Sequence, residues 1–253
     1  MEWRESAMDF IDINKENNKT ILLIHPISFT AEGVKDLVIN NMPTDYRYII
    51  PELAGHGRSN EVFKSAEIEA EKIEKYLLDN NIHELDLAFG ASLGGVVLLN
   101  ILKNKRVKAK KYVFEGCSLS KISRITETIL RKAAIKEHKK AICDRNYAVE
   151  KMAEKYGDEI SELVADCFIK MDDESIKNIV HCGAFVNVPN LSKEEQEKCV
   201  FCYGSKEFIL KDAKKVIRKE FPNATLKVWE GFNHCSKITK DSLEYCKFLE
   251  SQL

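Results

Sequence analysis

Two periodicities alternate along the chain. Continuous apolar runs of strand length occur at residues 20–24, 85–89 and 112–114, the pattern of strands buried on both faces of a parallel sheet. Residues 46–50, 200–203 and 226–229 read as further strands, and residues 7–13 alternate like a half-exposed one. Between these runs the period changes to that of a helix, over residues 31–40, 67–78, 96–102, 211–220 and 241–249. In the second of these, Ile68, Ile73, Tyr76 and Leu77 stand among many charges, as on an amphipathic surface helix. Strand-helix alternation of this kind predicts an α/β fold, a mostly parallel sheet with helices on both faces.

The rhythm breaks after Gly116. From Leu119 to Phe185 no segment reads as a strand, while Ile122, Ile125 and Ile129, then Val149, Met152, Ala153 and Tyr156, then Ile160, Leu163 and Val164 keep helical spacing. The expected organisation is a core formed by residues 1–117 and 188–253, interrupted by a helical insertion over 118–187. Tyr147, Tyr156, Phe168 and Phe185 in this block suit an acyl pocket, or at helical spacing a core.

Composition narrows the functional classes. With 44% hydrophobic and 31% charged residues among 253, the chain reads as a soluble globular protein. A formal net charge of -1 speaks against nucleic-acid binding. The amino terminus lacks a basic segment followed by an apolar core, and no apolar run reaches membrane-spanning length. A cytoplasmic protein without membrane contact is expected, its eight cysteines reduced. Cys199 and Cys202 have metal-ligand spacing, yet within a strand positions three apart point to opposite faces, so no metal is expected. Arg131-Lys132 and 136–140 form a basic run. It reads as a solvated helix face, with docking of an acidic substrate or acyl-carrier protein as the sharper alternative.

Chemistry concentrates at Gly90-Ala91-Ser92-Leu93-Gly94, between an expected strand and an expected helix. A serine raised on such a sharp turn adopts a strained backbone, and only small neighbours can approach it closely. This is the GxSxG nucleophile elbow, and it makes Ser92 the candidate nucleophile. A phosphate-binding loop fits poorly, because no Lys-Ser or Lys-Thr follows the glycines. Other suggestive turns follow the remaining strands: His25-Pro26-Ile27, Gly55-His56-Gly57-Arg58-Ser59, Gly204-Ser205-Lys206-Glu207 and Phe232-Asn233-His234. An open α/β sheet places its ligand site at these carboxyl ends.

Together, the Gly-His-Gly-Arg-Ser string, the elbow and the late histidine make the chain resemble the α/β-hydrolase superfamily over nearly its whole length. The insertion is similar to the cap of its smaller members. The resemblance implies a nucleophile-acid-histidine order, with Ser92, Glu207 and His234 as the catalytic residues. It also implies an oxyanion hole. Where the family usually has His-Gly, this chain has His25-Pro26, and proline has no N-H to donate. The hole then falls to the backbone amides of Ile27 and Leu93. The family's acid is most often aspartate. Glu207 holds the commoner position here, and Glu115, at the end of the 112–114 strand, is its competitor. His25 and His56 read as loop braces, His83 and His138 as surface positions. The implied activity is hydrolysis of a carboxylic ester or thioester of a small acyl substrate through an acyl-enzyme, without cofactor or metal. A carbon-carbon bond hydrolase or lyase, an acyltransferase and a non-enzymatic ligand receptor share the scaffold.

Overall fold

The structure, a computed structural model, describes residues 8–253. The amino-terminal reading, including the first residue of the strand expected over 7–13, lies outside them. Among the described residues there are seven strands: β1 (Phe10–Ile13), β2 (Thr20–Ile24), β3 (Arg47–Pro51), β4 (Glu84–Ala91), β5 (Lys108–Glu115), β6 (Cys199–Gly204) and β7 (Thr225–Trp229). They form one sheet in the order β1-β3-β2-β4-β5-β6-β7, with β1 antiparallel to β3 and every other pair parallel. Among the described residues no helix is long and apolar enough to cross a membrane.

Among the described residues eleven α-helices accompany the sheet: α1 (Ala31–Val38), α2 (Ala66–Asp79), α3 (Leu93–Asn104), α4 (Arg124–Cys143), α5 (Arg145–Tyr156), α6 (Asp158–Lys170), α7 (Asp173–Ala184), α8 (Lys193–Glu197), α9 (Leu210–Glu220), α10 (Ser236–Lys240) and α11 (Ser242–Glu250). The helix expected over 31–40 stops at Val38 and continues as a tighter turn, Ile39–Asn41. Helices α8 and α10 have five residues each, too few to leave a helical period in the sequence. Helices α4 to α8 lie between β5 and β6, a long suspension of the strand-helix alternation.

The pleat of the sheet divides the core in two. Leu22, Ile24, Ala88 and Phe114 face α2, α3 and α9, through Ile73, Val97 and Ile217 among others. Ile21, Leu23, Phe89 and Val113 face α1 and α11, through Val34, Tyr245 and Leu249. Ile21 to Ile24 are wholly buried, which at about 1.5–3 kcal/mol per large aliphatic side chain makes β2 a principal source of stability. Cys199 joins the first of these clusters and Cys202 the second, so the two thiols face opposite sides of the sheet.

One expectation needs correction. His138 is not a surface residue: it is buried, its Nδ1 3.0 Å from Asp173 Oδ1 and its ring centroid 5.2 Å from that of Phe168. The lysines around it hide its position. Helix α4 turns Glu127, His138 and Ala141 inward, and residues spaced like these share one helix face.

Candidate active site

Parallel pairing brings the carboxyl ends of four strands level. Ala91 pairs with Glu115, Glu115 with Cys202, and Gly204 with Trp229. The turns that follow β4, β5, β6 and β7 therefore meet along one edge of the sheet, and they carry Ser92, Gly116, Glu207 and His234.

Ser92 sits between β4 and α3 with φ 49° and ψ -108°. A non-glycine residue in that region is strained by about 1–3 kcal/mol and is held there by its surroundings. Its N–H donates to the Glu115 carbonyl at 2.7 Å, and its own carbonyl accepts from Gly95 and Val96 as α3 begins. The flanking glycines are required by close approach. A Cβ on Gly90 would lie 2.4 Å from the Gly94 carbonyl oxygen, and one on Gly94 2.2 Å from the Ile24 carbonyl oxygen.

His234 lies on the turn between β7 and α10. Its Nε2 is 2.9 Å from Ser92 Oγ and its Nδ1 2.8 Å from Glu207 Oε2. A carboxylate can only accept, so Nδ1 carries the hydrogen and Nε2 is left to accept from the serine hydroxyl. Glu207 reaches back along its turn, and its Oε1 accepts from the Gly204 N–H at 2.6 Å. Its side chain is fully buried, whereas that of His234 is 34% exposed. The acid and histidine turns are stitched together: Lys206 N donates to Phe232 O, Ser205 N to Trp229 O, and Gly231 N to Ser205 Oγ.

Glu115 is placed elsewhere. The pleat turns its side chain towards α11, where Oε2 accepts from Tyr245 Oη at 2.8 Å and Trp229 Nε1 at 3.1 Å. Burial pushes its carboxyl up to about 8 despite those two donors, and the nearby Glu207 pushes the same way. It contributes its backbone carbonyl, rather than its carboxyl, to Ser92.

Leu93 opens α3, so its N–H has no intrahelical acceptor and lies at the positive end of the helix dipole. Among the described residues neither this amide nor that of Ile27 donates to a protein acceptor. The segment leading to Ile27 runs beside the elbow, since the Ile24 and His25 carbonyls both crowd Gly94. His25 braces that segment. Its Nε2 accepts from Leu53 N at 3.1 Å, so its Nδ1 donates to the Pro26 carbonyl at 2.9 Å. His56 donates from Nδ1 to the Ala54 carbonyl, and burial, with His25 alongside, lowers its basicity to about 3.

Gly116 does not stand out in the sequence. With φ 61°, it lies under the imidazole, where a Cβ would be 2.8 Å from His234 Cε1. A glycine directly after a buried strand is the signal that points to it. No group of three or more His, Cys, Asp or Glu side chains among the described residues could hold a metal.

No protein-family model matches the sequence, and no curated protein matches it closely. Solved structures do resemble the fold. The esterase EaEST from Exiguobacterium antarcticum superposes with a TM-score of 0.76 at 15% identity, covering 96% of this chain and 94% of that one. MenH from S. aureus gives 0.73 at 16%, covering 98% of each chain. A protein assigned to the α/β-hydrolase family from Desulfitobacterium hafniense gives 0.73 at 16%, covering 96% of this chain and 99% of that one. With its mostly parallel sheet, its elbow after β4 and these structural likenesses, the chain has the α/β-hydrolase fold.

Proposed function

We propose that the protein is a serine hydrolase of carboxylic esters or thioesters, working through Ser92, His234 and Glu207. The observation that carries this reading is the continuous relay from Ser92 Oγ to His234 Nε2 and from His234 Nδ1 to Glu207, at 2.9 and 2.8 Å. Ser92 Oγ attacks the acyl carbon as its proton passes to Nε2, and Glu207 stabilises the imidazolium that forms. The amides of Ile27 and Leu93 receive the oxyanion. His234 then returns the proton to the leaving group, and water, activated by the same imidazole, releases the acyl group from Ser92. The esterases among the similar structures support the hydrolase reading at the level of the fold.

The insertion, residues 118–187, is proposed to roof the pocket and set acyl selectivity. Tyr156 at the end of α5 meets Phe29, past the Ile27 turn, edge-on with centroids 5.4 Å apart, which puts insertion side chains against the loop that carries one oxyanion donor. The test is labelling with a fluorophosphonate, followed by turnover of an acyl-ester and acyl-thioester series. Label that maps to Ser92 and is lost in Ser92→Ala, with turnover lowered by orders of magnitude, is expected. Near-normal hydrolysis by folded Ser92→Ala would remove the assignment.

A further inference from the structure

The basic run of the insertion becomes a different object once folded. Helices α4 and α7 border an open groove of about 500 Å³, a volume within the range of small-molecule sites of about 300–1,000 Å³. Arg131, Lys132, Lys136 and Lys139 line one wall and Lys177 the other. Ile135 and Thr128 complete the lining, so five of its seven residues are cationic and none is acidic. In a chain whose net charge is -1 this is a strong local excess.

The charges are only partly matched. Arg131 Nε lies 2.5 Å from Glu127 Oε1 without the alignment of a hydrogen bond, and Lys177 Nζ lies 3.5 Å from Glu174 Oε2. Among the described residues Lys132, Lys136 and Lys139 have no carboxylate partner. Their spacing of four and three residues sets them on one face of α4. The floor between them is apolar: Ile135, with the aliphatic stems of the long side chains around it. A solvated helix face would explain scattered lysines. It does not explain cations from two helices converging on an apolar floor with no acid in the lining and three of the five lysines and arginines unmatched.

We propose that the α4–α7 groove binds a phosphorylated organic ligand, a molecule carrying two or more anionic groups on an apolar or planar body. Anionic groups meet the Lys and Arg donors of both walls in charge-assisted contacts. The body covers Ile135, which inorganic phosphate would leave wet. Its lining shares no residue with the serine site, and its readout is binding, so it stands or falls independently of hydrolysis.

The experiment is calorimetric titration of the full chain with ADP, adenosine and inorganic phosphate, beside co-sedimentation with phosphatidylglycerol and phosphatidylcholine vesicles. Saturable ADP binding is expected, with adenosine and phosphate each weaker by about tenfold or more. Lys132→Glu and Lys177→Glu, one on each wall, should each weaken ADP by about tenfold or more at an unchanged melting temperature. Lys132 is exposed and Lys177 half-exposed, and among the described residues neither side chain makes a hydrogen bond, so the fold should tolerate the changes. Absence of saturable binding overturns the proposal. So does sensitivity to Lys132→Glu alone, which reports a helix face rather than a groove. Capture by phosphatidylglycerol vesicles without ADP binding would assign the cations to an anionic bilayer instead.

Discussion

Replacing Glu207 by glutamine preserves the shape of the side chain and removes its charge together with one of its two acceptors. Both carboxylate oxygens are committed, Oε1 to Gly204 N–H at 2.6 Å and Oε2 to His234 Nδ1 at 2.8 Å. An amide offers one oxygen and one NH₂ and cannot serve two donors. With its oxygen on Gly204, its NH₂ faces Nδ1 and drives the imidazole to the tautomer with hydrogen on Nε2, where Ser92 needs an acceptor. With its oxygen on Nδ1, the Gly204 N–H is left unpaired in a buried turn, at about 1–3 kcal/mol. In either arrangement the imidazolium loses its neighbouring charge. The expected fall in kcat/KM is about 10²- to 10⁴-fold, or about 3–5 kcal/mol of transition-state stabilisation. The assay is steady-state hydrolysis of p-nitrophenyl acetate by wild type and Glu207→Gln, with thermal melts to establish that both are folded. A folded variant within about threefold of wild type would refute the role given to Glu207.

Two further outcomes test the surroundings of the site. Burial raises the Glu115 carboxyl from 4.5 to about 8, so the folded chain holds this proton more tightly than the unfolded one. The stability this confers is complete below the unfolded value and declines as pH rises towards about 8. Glu115→Gln, which stays neutral, should lack that decline, so its urea midpoint should gain on wild type between pH 5 and pH 8, and parallel curves would contradict the reading. Its activity should fall far less than that of Glu207→Gln. At Gly116, alanine would place a Cβ 2.8 Å from His234 Cε1 at φ 61°. We expect kcat to fall by about tenfold or more with KM little changed, and wild-type kcat in a folded Gly116→Ala would argue against the seat assigned to the imidazole.

Periodicity and local turn chemistry made much of this protein readable before folding. Strands with a continuous apolar run, such as 20–24, announce a doubly covered sheet, because an extended chain turns consecutive side chains to opposite faces and buries them all only when both faces are covered. The elbow is legible for the same local reason: Gly90 and Gly94 are needed within two residues of Ser92 itself. Short or shared structure escaped. Helix α10, which begins two residues past His234, is too brief to leave a period, and His138 is hidden among lysines although its own face of α4 is buried.

What remained depended on which distant residues the fold brings together. Sequence order left Glu115 and Glu207 as rival acids, each just past a strand. The pleat of β5 decides their surroundings, sending the Glu115 carboxyl to Trp229 and Tyr245 while the turn after β6 brings Glu207 to His234. The basic run is likewise a line of charges until α7 closes beside it and supplies Lys177. Hydrophobic period is a property of neighbours along the chain. The hydrogen-bond partner of a buried carboxyl, or the opposite wall of a groove, is a property of residues dozens of positions apart, and only packing fixes it.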